Sequence, residues 1–309
     1  MTKQTKLLLA SLLFASTLSA NDTMTNISFE QDSDGNLNPN IVVPLFWSED
    51  MSWYSALGYT SSTTKEIGKL DAFSDSKNGA VSNNTDTKLN WATKVIGNYS
   101  VGLQTNFIKK DTNEFGYIHD MTDAFGNGTD YWIAFDNEVE LDITKTSLLL
   151  EYGKQYGDLL IKTSANLALS TDLKVKQSTF MKPLVSTTGT SNSNTSQDFG
   201  YAVKLEGYYD THSLIKLGFE YGYDYSPTKY EVAQLDKVSN VWTFAKNKVD
   251  TDVTTTKYLG KIYIARKMFG DLIPSIGFGS INTKTKDNLG GGTISNNNSI
   301  FAIGVEKRF

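Results

Sequence analysis

Few residues in this 309-residue chain could carry out covalent or acid–base chemistry. It has no cysteine, which excludes thiol catalysis, disulfides and thiolate metal sites, and its two histidines are His119 and His212. His212 stands two places after Asp210 and directly before Ser213. An Asp-x-His pair can orient an imidazole as a general base, and an adjacent hydroxyl could serve as a nucleophile. The same letters, Asp210 to Ser213, also make a short polar turn in which a histidine is merely solvated. The turn is the better reading, so no catalytic residue and no cofactor is assigned and the chain is not expected to be an enzyme.

A second cluster could bind a cation. Glu30, Asp32 and Asp34 place oxygen ligands at alternate positions, with Gly35 for a sharp turn and Leu37 after it, a partial match to a calcium loop. Glu30 replaces the usual first Asp, and Ile41 stands where a bidentate acid belongs. A flexible Asp-Gly turn in a solvated linker explains the same residues. The stretch 111–137 interleaves Asp111, Glu114, Asp120, Asp123, Asp130 and Asp136 with Phe115, Tyr117, Phe125, Tyr131, Trp132 and Phe135. It is expected to be a long loop offering a divalent-cation or partner contact, or packing its own rings. Trp242 and Phe244 among Lys237, Lys246 and Lys248 form a second aromatic patch.

The elements that must position these residues are strands. From residue 51 onward the apolar residues recur at every second place in about ten segments: 51–64, 87–95, 99–110, 138–153, 159–176, 198–209, 214–226, 251–266, 272–282 and 299–309. In the fifth, Leu159, Ile161, Ala165, Leu167, Leu169, Leu173 and Val175 are expected on one face, with Lys162, Asn166, Asp172, Lys174 and Lys176 on the other. In the fourth the apolar phase slips from Val139, Leu141 and Ile143 to Leu148, Leu150 and Tyr152, which predicts a β-bulge near Lys145. Short connections alternate with longer polar ones. Trp53, Tyr99, Tyr152, Tyr156, Tyr209 and Phe309 gather near one set of strand ends, and Phe107, Phe199, Tyr225, Tyr258 and Phe301 near the other, as two aromatic girdles would.

The last strand, Ser299 to Phe309, alternates Phe301, Ile303 and Val305 with Ala302, Gly304 and Glu306 and ends on an aromatic. It resembles the closing strand of bacterial outer-membrane β-barrels, and the whole pattern is similar to the small barrels of the OmpA and opacity-like kind. That resemblance implies recognition of the terminal Phe by the barrel-insertion machinery. Lys3 and Lys6, the apolar run Leu7 to Ala15 and the small pair Ser19-Ala20 read as a signal peptide over 1–20, so a Gram-negative envelope is implied. The reading is thus all-β: a transmembrane antiparallel up-and-down barrel of about ten strands over 51–309, preceded by a periplasmic N-terminal segment over 21–50. Pro44 is expected to keep Ile41 to Trp47 out of any central strand. The Asp210 and His212 pair resembles that of the omptin proteases, ten-stranded outer-membrane enzymes, but falls in an expected periplasmic turn.

Function is then bounded by charge and place. With 29 basic and 34 acidic residues the chain carries a formal charge of −5, which gives no support for a nucleic-acid partner. The expected partners are outer-membrane lipid, the insertion machinery and an extracellular ligand at the loops. Glu138, Glu140, Asp142, Asp172, Glu206, Glu220 and Glu306 are expected to face a lumen filled by ion pairs with Lys174, Lys176, Lys204, Lys216, Lys257 and Lys261, for example Glu206 with Lys216. The first expectation is a structural or surface-interaction role through long loops, the alternative is a small-solute channel, and an omptin-like enzyme comes last.

Overall fold

The two ends of the chain meet in one seam. In the computed structural model β1 (Asn26–Asp32) pairs antiparallel with β13 (Thr293–Lys307), from Asn26 opposite Glu306 to Asp32 opposite Ile300. The described residues are 26–33, 37–47, 53–69, 77–96, 98–120, 131–182, 189–196, 199–238, 241–264 and 272–307. The expected signal peptide, Asp34 and the terminal Arg308 and Phe309 lie outside them. From the seam the wall runs through β2 (Leu37–Trp47), β3 (Trp53–Lys69), β4 (Lys77–Ile96), β5 (Tyr99–Asp120), β6 (Tyr131–Tyr156) and β7 (Leu159–Lys182). It returns through β8 (Gly189–Ser196), β9 (Tyr201–Tyr209), β10 (Ile215–Val238), β11 (Val241–Ile264) and β12 (Leu272–Asp287) to β13.

Antiparallel pairing on both sides of β7, to β6 and to β8 and β9, closes the ring. β8 covers the upper part of β7 and β9 the lower part, so the two share one place and the barrel is twelve-stranded. Every segment read as a strand in the sequence is one. The two further strands are β1 and β2, which had been expected in a periplasmic lead-in over 21–50. Pro44 does not exclude β2 because the β2–β3 register shifts between Pro44 and Phe46, a bulge where a missing N–H costs no ladder bond. Pro39 lies opposite Phe29 in the β1–β2 ladder, one residue before the β2–β3 ladder begins at Asn40. A twelve-strand ring also exceeds the small eight-strand type of barrel that the sequence resembled.

The outer face is that of a membrane barrel. Leu89, Trp91, Leu103, Phe107, Leu217, Phe219, Ile262, Ile276, Phe278 and Ile303 are all exposed, while their strand neighbours Ala92, Gln104, Glu220, Lys261, Ser275 and Ala302 are buried. Such an apolar exterior over a polar interior is stable only in lipid, and the chain is an outer-membrane β-barrel. At the short-turn end Tyr99 and Tyr152 pack with their rings tilted and centroids 4.8 Å apart, and the Tyr152 and Tyr156 hydroxyls are 2.9 Å apart. Phe107, Phe199, Tyr258 and Phe301 are exposed farther up. From Tyr99 to Phe107 a tilted strand climbs about 20 Å, close to the height of an apolar band.

Above that band the wall continues. β6 has 26 residues and β7, β10 and β11 have 24 each, against the roughly 9–11 that a spanning strand needs. Much of the expected long loops is therefore strand: His119 pairs with Trp132 in β5–β6, and β10–β11 pairing runs up to Val238 opposite Val241. At the other end Tyr156-Gly157-Asp158-Leu159 makes a two-residue hairpin turn with Gly157 at φ 57°, the first central position of a type II′ turn.

The bulge lies across the ladder from where the sequence placed it. β6 runs straight through Lys145, so Val139, Leu141 and Ile143 face inward and Leu148 and Leu150 outward without any slip. The register shift occurs between Thr146 and Ser147, opposite Ser170 and Ala168, so Leu169 in β7 is the extra residue. Past it β7 reverses its faces: Leu173, Val175 and Gln177 are buried inside, while Asp172, Lys174 and Lys176 are exposed.

Candidate functional site

The lumen at mid-height holds a charged clasp drawn from strands that are not all neighbours. Each member is an inward residue of an alternating strand: Lys204 and Glu206 in β9, Glu220 in β10, Lys257 and Lys261 in β11, Glu306 in β13 and Glu30 in β1. Glu220 is the hub, with Lys204 at 3.7 Å, Lys257 at 3.2 Å and Lys261 at 3.4 Å. Lys261 also donates to Glu306 Oε1 at 2.7 Å, and Tyr263 donates its hydroxyl to Glu306 Oε2 at 3.3 Å. Lys257 donates to Glu30, which ties β11 across the interior to β1. Lys204 lies 3.1 Å from Glu206. Glu220, Lys261 and Glu306 are buried, so their charges are tolerable only because each is paired. Beneath them Tyr208 and Tyr263 pack edge to face, 5.4 Å between centroids.

A second polar group lines the opposite wall. Asp86 lies 3.2 Å from Lys88, Asn106 donates to Asp86 at 3.4 Å, and Gln104 donates to Asn106 at 2.6 Å. Between the two walls is a recess of about 180 Å³ lined by Asn38, Asn40, Thr60, Ser62, Asn84, Ile281 and the Glu30–Lys257 pair. Above, Leu141, Leu173 and Val175 make a buried apolar cluster with Val139, Ile143 and Tyr230. The interior is thus polar at mid-height, with an apolar cluster on the wall above it.

The sequence placed only part of this. Lys204, Glu206, Glu220, Lys257, Lys261 and Glu306 do face the lumen as expected. Glu138, Glu140, Asp142, Asp172, Lys174 and Lys176 do not: they lie on the outer face of the wall above the lipid, because the β7 bulge and the straight run of β6 reverse the phase expected there. Glu140 is held there by Lys109 at 2.6 Å and Lys176 at 3.4 Å. The hydrogen bond from Lys109 keeps the Glu140 carboxyl below its ordinary range, and the same bond raises the Lys109 ammonium. The expected Glu206–Lys216 pair is replaced, since Lys216 turns to Asp210.

Of the weak cation candidates, Glu30 is engaged by Lys257 inside the lumen and Asp32 ends the same strand, opposite Ile300. An extended strand carries both, and Asp34, the third candidate, lies outside the described residues. Glu30 was missed as a lumen residue although Ile27, Ser28, Phe29 and Glu30 already alternate. Asp210 and His212 lie in the β9–β10 turn, where Asp210 Oδ1 accepts from the His212 backbone N–H at 2.8 Å and His212 Nε2 sits 2.9 Å from Asp158 Oδ1 of the neighbouring turn. His212 has φ 56°, a turn conformation, and its side chain is 73% exposed. The arrangement fastens two turns to each other.

No family model matches this chain, and no curated protein matches it. Solved structures do. A monoaromatic hydrocarbon channel, TodX in a deltaS2S3 mutant form, aligns with 97% of this chain and 94% of its own at 10% identity and a TM-score of 0.45. The Ralstonia pickettii toluene transporter TbuX covers 97% and 93% at 10% identity and 0.42. A Pseudomonas aeruginosa FadL homologue covers 91% and 87% at 10% identity and 0.41. All three are barrels, and none is of the small OmpA-like kind.

Proposed function

We propose that this barrel is a small-solute channel whose lumen is held narrow by the mid-height clasp. The observation that carries the reading is an unmet demand for water inside the wall. Among the described residues, inward side-chain oxygens of Asn38, Asn84, Asp86, Asn90 and Asn166 are buried without a donor. A barrel built only as a scaffold gains nothing from such groups, since each buried acceptor left unpaired costs about 1–3 kcal/mol. Water or a passing polar solute supplies the missing donors. Ring size supports the same reading, because twelve strands lie between the eight whose interior side chains fill and the 16 or so of open aqueous pores. A surface-interaction role rests on long extracellular loops, and much of that length is continuous wall.

The test is the purified full-length protein in a planar bilayer and in vesicles. Discrete openings, and swelling of vesicles in an isosmotic small solute, are the expected results. A membrane that stays silent in both assays, with protein inserted and folded by heat-modifiable gel migration, returns the barrel to a structural role.

A further inference from the structure

Resting on that channel reading, we infer that the lumen recess is a binding subsite for a small neutral polyhydroxylated solute of monosaccharide size. The recess of about 180 Å³ is reached from four consecutive strands and two more: Glu30 in β1, Asn38 and Asn40 in β2, Thr60 and Ser62 in β3, Asn84 in β4, Lys257 in β11 and Ile281 in β12. That volume holds on the order of ten water-sized groups.

Three features select the ligand class. First, amides and hydroxyls from β2, β3 and β4 line one side of the recess, groups that both donate and accept, so they match a solute whose hydroxyls do both, while Ile281 and Pro39 offer apolar surface to its C–H groups. Second, Asn38 Oδ1 and Asn84 Oδ1 have no donor among the described residues, although both residues line the recess. A ligand hydroxyl supplies that donor, whereas a hydrocarbon would leave both oxygens unmet. Third, the ionic groups at the edge are already engaged with each other, since Lys257 is shared by Glu30 and by Glu220 at 3.2 Å. An ionic solute would have to break that pairing, and a neutral one does not.

Glucose serves as the probe and toluene as the apolar control. Calorimetry on the purified protein in detergent is expected to give saturable glucose binding and none for toluene, with binding weakened at least tenfold in Asn84→Leu and in Ser62→Val. Entry of glucose into vesicles is expected to saturate in the parent and to become linear in the variants. Glucose binding that is absent in the folded parent protein, or is unchanged in both variants, overturns the subsite. Loss of the channel reading looks different: no solute enters vesicles although calorimetric glucose binding persists and depends on Asn84. Should Asn84→Leu not fold, Ser62→Val and the parent glucose–toluene contrast decide alone.

Discussion

Lys261 Nζ lies 2.7 Å from Glu306 Oε1, although β11 and β13 are separated in the wall by β12. Gly277 of β12, opposite both Lys261 and Ala302, presents no side chain inward, so the lysine can reach over it. The contact braces the wall from inside and joins Glu220 to the closing strand.

Because Glu220 alone touches all three lysines, its removal should part the clasp into three separate pairs, Lys204–Glu206, Lys257–Glu30 and Lys261–Glu306. Each lysine keeps one carboxylate, but the bridge that holds the three pairs together across the lumen is gone. Glu220→Ala is expected to raise the size or frequency of openings in a planar bilayer. Glu206→Ala should do so less, since the Glu206 side chain is 25% exposed where Glu220 is 8%. Equal effects from the two would count against a hub at Glu220.

The bulge makes a contrast of two leucines in one strand. Leu173 is 0% exposed and faces inward, while Leu169, the bulged residue, is 63% exposed. Leu173→Ala should cost about 2–5 kcal/mol as a cavity-forming change, and Leu169→Ala much less. Denaturant unfolding in detergent, followed by tryptophan fluorescence, would measure both. Equal costs would mean that β7 keeps one face throughout.

Reading from the sequence succeeded where one strand's own alternation determines the answer. The membrane-facing halves of β5, β9, β10 and β12 could be read because lipid on one side and water on the other impose period two. It failed where the determinant lies on another strand. The slip between Ile143 and Leu148 was visible in β6, yet the extra residue is Leu169 in β7, and nothing in β6 says so. Above the lipid both faces of the wall meet water or protein, so Glu140 and Lys176 give no sign of which way they point. Glu30 was obscured by an acidic, glycine-containing neighbourhood that also spells a turn, and its partner Lys257 lies 227 residues away. The Asn38 to Asn84 recess has no signature in the chain at all, being assembled by β2–β3–β4 pairing.

Phe219 depends on a glycine. A Cβ on Gly207 would fall 1.9 Å from the Phe219 ring, which lies over Gly207 on the outer face. Gly207→Val should displace that ring at a cost of about 1–3 kcal/mol and lower the temperature at which the folded band is lost on gels. Combining it with Phe219→Ala should remove the clash, so the double variant is expected to lose less than the sum.

The β9–β10 turn should loosen in acid. Asp210 is held below its ordinary value of 3.8, first by Lys216 and then by the His212 backbone N–H. A carboxylate depressed in the folded state contributes its stability in full above that ordinary value and loses it as the pH falls through the lower folded one. Pepsin digestion from about pH 4 down to about pH 2 should therefore show increasing cleavage around exposed Leu214 in the parent protein. In Asp210→Asn cleavage there should be high across the whole range. A parent turn that resists equally at both limits would show that Asp210 does not hold it.

The seam has an uneven grip on the rest of the wall. β1 is joined to β2 over six residue pairs and to β13 over seven, whereas β10 and β11 share 24. Each ladder is a row of hydrogen bonds that must all part before a strand can leave, so β1 is the tooth from which this zipper opens. Its second partner is β13, the last of the described strands, so the ring closes at this seam. Closing it also brings Glu30 of β1 to Lys257 of β11, and the pairing that completes the ring completes the clasp.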